Sequence, residues 1–206
     1  QVAQVDQQIG LSEDELVGII GEYDGLMIRS GTQVTAKVIA AASRLKIIGR
    51  AGVGVDNVDV PAATQRGVLV VNSPEGNTIA AAEHALAMML SLSRHVPQAN
   101  AGMRAGKWDR KKYVGNELYK KTLGVVGLGK IGSHVAKVAQ AMGMDVIAYD
   151  PFIAADRAKQ MQVRLIELDE LFRTADYVTL HIPRTKDTEN LVNADLLRTM
   201  KPTARI

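Results

Sequence analysis

The chain has 206 residues, 47% of them apolar, which suits one large or two small packed domains and is too apolar for disorder. It has no cysteine, which excludes disulfides, thiol catalysis and cysteine-ligated metal and fits a reducing, cytoplasmic setting. No apolar run is long enough for a membrane helix and no signal-peptide pattern is visible. The net charge of +3 comes largely from Arg104 to Lys121, with no nucleic-acid-binding motif beside it, so neither membrane nor nucleic acid is expected as a partner.

In chain order, apolar runs and helical patterns alternate, which predicts parallel sheets with helices on both faces. Glu13 to Ile20 reads as a helix with Ser12 as its N-cap. Leu26 to Ile28 reads as a short strand, Thr35 to Ala42 as a helix and Leu45 to Ile48 as a strand. Val60 to Gln65 is a short helix with Pro61 in its first turn, and Val68 to Val71 is a third strand. Ile79 to Leu92 is a long helix with little polarity on any face, so it is expected to be buried between two layers or two domains. A loop-rich basic segment follows.

Residues 123–150, LGVVGLGKIGSHVAKVAQAMGMDVIAYD, are the most informative stretch. A strand from Leu123 to Val126 enters a glycine turn with Gly127, Gly129 and Gly132. A helix follows, with Ile131, Val135, Val138 and Met142 on one face. A second strand, Val146 to Tyr149, ends in Asp150. Strand, glycine turn, helix, strand and acid together form the dinucleotide-binding fingerprint. Gly127 permits the tight turn. Gly129 leaves room for the pyrophosphate, and Gly132 lets the helix pack close to the strand. The helix N-terminus faces the phosphates, and Asp150 accepts from the ribose hydroxyls. The carboxylate at Asp150, followed by Pro151, Phe152 and Ile153 with no cation, favours NAD over NADP.

Beyond Asp150 the pattern predicts a helix near Ala154 to Met161, a strand at Val163 to Ile166 and a helix at Leu168 to Thr174. A strand at Tyr177 to Ile182, a helix capped by Asn193 and a further strand starting near Ala204 complete it. The expected fold is α/β: a doubly wound Rossmann nucleotide-binding domain, residues 75–206, preceded by part of a second, flavodoxin-like α/β unit, residues 1–74. Both are expected to be incomplete pieces of a longer protein.

Several other residues invite a functional reading with a plainer alternative beside it. The glycine-rich loop Gly52 to Val55, with Val53 and Gly54 at its centre, is either an anion nest of backbone N–H groups or an ordinary strand-to-helix turn. Arg29, followed by Ser30, ends a strand, where its guanidinium either holds a phosphate or forms a surface ion pair. His84 and His134 lie inside helices without a partner motif, and His95 ends the long helix. His181 ends a strand at the ligand-binding edge of the sheet and is either a cofactor neighbour or structural. The basic segment is either a solvated face or part of a site for a phosphorylated molecule.

Four stretches carry a family resemblance: LMIRSGTQVTAKVI (26–39), GRAGVGVDNVDV (49–60), VVNSPEGNT with AAAEHALAMML, and the fingerprint through Asp150 followed by ADYVTLHIP (175–183). They resemble the D-isomer-specific 2-hydroxyacid dehydrogenases over nearly the whole chain. GKWDRKKYVGNEL (106–118) is similar to the branch of that family acting on 3-phospho-D-glycerate. The resemblance implies NAD-dependent oxidation of that phosphorylated 2-hydroxy acid to 3-phosphohydroxypyruvate, the entry step of serine synthesis, by a homodimer or homotetramer. It adds Lys130, Ile131, Ile182, Pro183 and Val53 to the cofactor contacts. For substrate it implies Arg29, Ser30, Val53, Gly54 and Asn77. It places the catalytic arginine, acid and histidine beyond Ile206, so residues 1–206 are expected to hold no catalytic triad. Two other readings stay open: a reductase of glyoxylate or hydroxypyruvate from the same family, and a dinucleotide-sensing interaction protein on the same fold.

Overall fold

A computed structural model describes residues 4–206. The chain divides into two compact units that part between Asn77 and Thr78, three residues beyond the boundary expected from the sequence.

The first unit is a three-stranded parallel sheet. Its strands are β1 (Gly25–Ile28), β2 (Ile47–Arg50) and β3 (Leu69–Asn72), in the spatial order β1-β2-β3. Three helices connect and cover them: α1 (Glu13–Ile19), α2 (Ala36–Ala41) and α3 (Val60–Gln65). Each start is written locally. Ser12 and Glu15 form a reciprocal capping box at α1, Thr35 caps α2, and the Asp59 carboxylate accepts the Ala62 N–H at 2.9 Å ahead of Pro61 in α3. Leu16, Ile20, Ile28, Val38, Ile39 and Ile48 are the centre of one core between helices and sheet. Alternate strand positions point the other way, and Met27, Ile47, Leu69 and Val71 are exposed. Here the structure departs from the expected two-sided cover: in this unit the helices lie on one face.

The second unit is a four-stranded parallel sheet in the order β6-β5-β4-β7. The strands are β4 (Thr122–Val126), β5 (Asp145–Tyr149), β6 (Arg164–Leu165) and β7 (Tyr177–Leu180). An isolated parallel bridge joins Tyr177 to Arg205 beside β7. Its helices are α4 (Thr78–Arg94), α5 (Val96–Arg104), α6 (Lys130–Ala141), α7 (Ala155–Gln160), α8 (Leu168–Thr174) and α9 (Ala194–Arg198). Strand residues alternate between two cores. Leu123, Val125, Val146, Ala148 and Tyr177 meet α4 and α6 on one face. Val126, Ile147 and Val178 meet Leu171 and Phe172 of α8 and Leu196 of α9 on the other. The chain crosses to the opposite side of β4 after β6, so the sheet is doubly wound with its switch point between β4 and β7.

The long helix α4 is not buried all round. Ala82, Leu86 and Ser93 are buried, whereas Ile79, Met88, Leu90 and Leu92 are exposed. One helix can turn only one stripe toward α6 and the sheet, and its remaining apolar faces lie outside this unit's core. A second difference follows α4. His95 takes a left-handed backbone (φ 55°), breaks the helix and starts α5, where a loop was expected. Pro97 is tolerated in the first turn of α5, and Gly102 packs near the Tyr113 ring of a short 3₁₀ turn, Arg110–Tyr113.

Candidate functional site

The fingerprint residues converge at the carboxyl ends of β4 and β5. Gly127 leaves β4 with φ +92°, a conformation L side chains rarely adopt, and a Cβ there would meet the His181 carbonyl oxygen at 2.8 Å. Its N–H donates to Tyr149 O at 2.9 Å, tying the turn to the end of β5. A Cβ on Gly132 would meet Gly127 O at 2.0 Å, so α6 lies directly against the turn. At Gly129 the situation is reversed, because a Cβ would meet nothing within 4 Å. That open space lies at the N-terminus of α6. No side chain caps the helix there, which leaves its first-turn N–H groups and the positive end of its dipole toward an anion. The three glycines therefore differ physically: one bends the chain, one lets two elements touch and one leaves a space.

Asp150 does more than the sequence suggested. Its Oδ2 accepts the Leu128 N–H at 2.7 Å, and its Oδ1 accepts the Phe152 and Ile153 N–H groups at 2.9 and 3.1 Å. The carboxylate is thus fixed between the glycine turn and the loop after β5. Both acceptor sites of Oδ1 are thereby used, and Oδ2 retains one for a further donor. Ser133 adds a second tie, donating to Leu128 O at 2.8 Å.

Lys130 is the first residue of α6 and exposed, and Ile131 packs against the core. Opposite Gly127 lies the end of β7. His181 N–H donates to Val126 O at 2.8 Å, and its ring nitrogen Nε2 is 3.0 Å from Thr179 Oγ1. Burial pushes the His181 pKa below its ordinary value, so the ring is neutral at pH 7. Ile182 Cγ2 borders Gly127, and Pro183 is exposed beyond it. The other three histidines stand elsewhere: His84 exposed on α4, His95 at the α4–α5 break, and His134 half-buried on α6. No histidine is paired with a carboxylate among the described residues.

The second cluster belongs to the first unit. Arg29 and Ser30 follow β1, and the loop 51–55 follows β2. Ala51 N–H donates to Ile28 O at 2.9 Å, so both lie at one sheet edge. Asn57, buried, donates from Nδ2 to Arg29 O and Thr32 O at 2.9 and 2.7 Å and fixes the turn after Arg29. From β3, Asn72 Nδ2 donates to Val53 O at 2.6 Å and Ser73 N–H to Gly52 O at 3.0 Å. The loop carbonyls are thereby held. The N–H groups of Val53, Gly54 and Val55 donate to no acceptor among the described residues, which is the arrangement of an anion nest. The exposed Arg29 guanidinium has no carboxylate partner among the described residues. Asn77 is exposed at the last position of the unit.

Sequence reasoning missed Arg50. It ends β2, its guanidinium fills the space over Gly52, and its Nε is buried without a partner. A cation directly before a glycine-rich loop was the available signal.

Residues 86–206, more than half of the chain, match the model of the D-isomer specific 2-hydroxyacid dehydrogenase NAD binding domain. The chain belongs to that family. It is 66% identical over all 206 residues to a D-3-phosphoglycerate dehydrogenase of Synechocystis sp., and covers 37% of that protein. Among solved structures, a protein of Thermus thermophilus matches with a TM-score of 0.88 and 35% identity, over 96% of this chain and 63% of the other. An NAD+-bound 3-phosphoglycerate dehydrogenase of Entamoeba histolytica matches with a TM-score of 0.76 and 30% identity, over 93% of this chain and 57% of the other. The chain thus spans little more than a third of the curated relative's length.

Proposed function

We propose that the protein of which this chain is part is an NAD-dependent D-3-phosphoglycerate dehydrogenase. The observation that carries the reading is the pairing of the open helix N-terminus at Gly129 with a carboxylate, Asp150, fixed to the same turn by Leu128 N–H. The similarity to the Synechocystis dehydrogenase over the full chain supports the choice of substrate.

A dinucleotide fits the residues present. The α6 N-terminus holds the pyrophosphate, with Lys130 and Ile131 in its first turn. Asp150 accepts from the ribose hydroxyls and disfavours a 2′-phosphate. His181, Ile182 and Pro183 border the adenosine, and Val53 is a further proposed cofactor contact. NAD, when bound, supplies the hydride acceptor for C2 of the 2-hydroxy acid. For the substrate, Val53 and Gly54 donate backbone N–H groups to its carboxylate. Arg29, with Ser30 and Asn77, holds its phosphate, and an arginine fork matches phosphate geometry. A neutral His181 adds no charge to the adenosine region.

The apolar residues left outside on α4 (Ile79, Met88, Leu90 and Leu92) support a homo-oligomer, dimer or tetramer, as the working state. A cytoplasmic location belongs to the same proposal, and the cysteine-free sequence suits a reducing compartment. Among the described residues no helix is long and apolar enough to cross a membrane.

The test is turnover by the full-length protein. NADH should form with 3-phospho-D-glycerate and NAD, and much more slowly with unphosphorylated 2-hydroxy acids. Equal rates with glycerate or lactate would refute the substrate assignment. NAD binding without any turnover would favour a dinucleotide sensor.

A further inference from the structure

A groove of about 600 Å³ runs between α6 and α7, on the outer side of the nucleotide-binding unit. Lys130, His134 and Lys137 line it from α6, and Arg157 and Gln160 from α7. The spacings of four and three residues place the α6 groups in one stripe, about 10 Å long at 1.5 Å per residue. No carboxylate lines the groove.

Two observations bear on its use as a site. Some exposed cations elsewhere stand against carboxylates, such as Lys37 with Asp14, Arg44 with Asp24, Arg184 with Glu189 and Arg198 with Asp195, and others do not. His134, Lys137 and Arg157 have no such partner among the described residues. The groove is also built rather than incidental. Gln140 Nε2, from the last turns of α6, donates to Met161 O and Gln162 O at 3.0 Å each and clamps the end of α7 against α6. The separation of the two helices, and hence of Lys137 from Arg157, is therefore fixed.

We propose that this groove binds a small polyphosphate, a chain of phosphate groups either free or carried by a nucleoside. Cationic and N–H-donating side chains spread over a stripe of about 10 Å match a chain of phosphate groups better than a single phosphate. The volume lies within the range of small-molecule pockets. The groove also contains Lys130, the first residue of the helix whose N-terminus faces the dinucleotide phosphates. An anion held there therefore neighbours the cofactor site without occupying it.

The experiment is calorimetric titration of full-length protein with inorganic triphosphate and, separately, with a nucleoside triphosphate. NAD is kept saturating so that the dinucleotide site is closed to both. Saturable binding of triphosphate should appear at low salt and weaken as salt rises. Lys137→Glu and Arg157→Glu should each weaken it by about tenfold or more, since each replaces a charge-assisted contact with repulsion. Lys159→Glu, the same charge change on α7 outside the groove, should leave it unchanged. NAD affinity, measured in parallel, should stay the same in all three variants, which keeps this test separate from that of the dehydrogenase reading. Tighter binding of the nucleoside triphosphate would assign a nucleotide as the ligand, and equal binding a free polyphosphate. Absence of saturable binding, or an equal loss in Lys159→Glu, would overturn the proposal.

Discussion

The Leu128 N–H and the Asp150 carboxylate meet at 2.7 Å, so the acid at the end of β5 is part of the glycine turn that leaves β4. Read from the fingerprint alone, Asp150 is a cofactor contact waiting for a ribose. In the folded chain it already holds the glycine turn at the start of α6, where the pyrophosphate is proposed to lie. On the proposed reading, selectivity and preorganisation therefore reside in one side chain.

Asp150→Ala should lose both. NAD affinity should fall by about 1–3 kcal/mol, the scale of hydrogen bonds to a charged group. Asp150→Asn keeps an acceptor for Leu128 N–H, so it should retain the melting temperature better than the alanine variant while still losing preference for NAD over NADP. Titration of the parent with both cofactors sets the baseline. Equal affinity for NAD and NADP in the parent would remove the basis of the argument.

Gly129 and Gly132 should respond in opposite ways to added side chains. Gly129→Val enters open space, so the protein should fold normally and fail to bind NAD. Gly132→Ala puts a methyl 2.0 Å from Gly127 O and forces α6 off the turn. Overpacking of this kind costs about 1–3 kcal/mol, so this variant should melt earlier. Thermal melts with and without NAD distinguish the two. A Gly129→Val protein stabilised by NAD as much as the parent would show that the phosphates bind elsewhere.

The three fingerprint glycines and the alternating strands were readable because each rests on a local rule: period-two burial, a positive φ, a helix start. The same holds for Ser12 and Asn193, whose capping bonds form, whereas Thr35, read as part of its helix, and Asp59 also turn out to be caps. What escaped was set by tertiary context. The α4 pattern is apolar all round, yet the sequence does not say which stripe meets α6. Helix α5 buries no residue fully, so no periodic signal marked it, and its start depends on the left-handed His95. Arg50 went unnoticed because only the fold places its guanidinium over Gly52.

Asp176 predicts a pH dependence. Partial burial raises its pKa, but the hydrogen bond from Lys201 at 2.8 Å and that from Thr122 N–H at 2.9 Å outweigh this, and the net shift is downward. A carboxylate whose folded pKa lies below its unfolded value binds fewer protons when folded. Its stabilisation is present above its ordinary value of 3.8 and is lost as pH falls through the depressed value. Asp176→Asn should cost about 1 kcal/mol at pH 7 through the weakened contacts. The gap to the parent should close in acid. A difference in melting temperature that stays constant from neutral pH to pH 3 would contradict the assignment.

Arg29 should anchor a phosphate. It follows β1 at the edge where the loop 51–55 follows β2, and Ala51 N–H to Ile28 O joins the two strand ends. The loop offers unpaired N–H groups suited to a carboxylate, while Arg29 offers a guanidinium without an acidic partner among the described residues. Those two groups suit the two ends of a short molecule bearing a carboxylate and a phosphate. Asn57 fixes the backbone at Arg29 through its carbonyl oxygen, so a change of side chain there leaves the turn in place. In the full-length protein, on the proposed dehydrogenase reading, Arg29→Ala should raise KM for 3-phospho-D-glycerate by about tenfold or more, the loss of a charge-assisted bidentate contact. KM for an unphosphorylated 2-hydroxy acid should change little. Arg29→Lys should fall between the two, because a lysine keeps the charge and loses the fork. If both substrates suffer equally in the alanine variant, Arg29 supports the fold of the sheet edge and the phosphate lies against other residues.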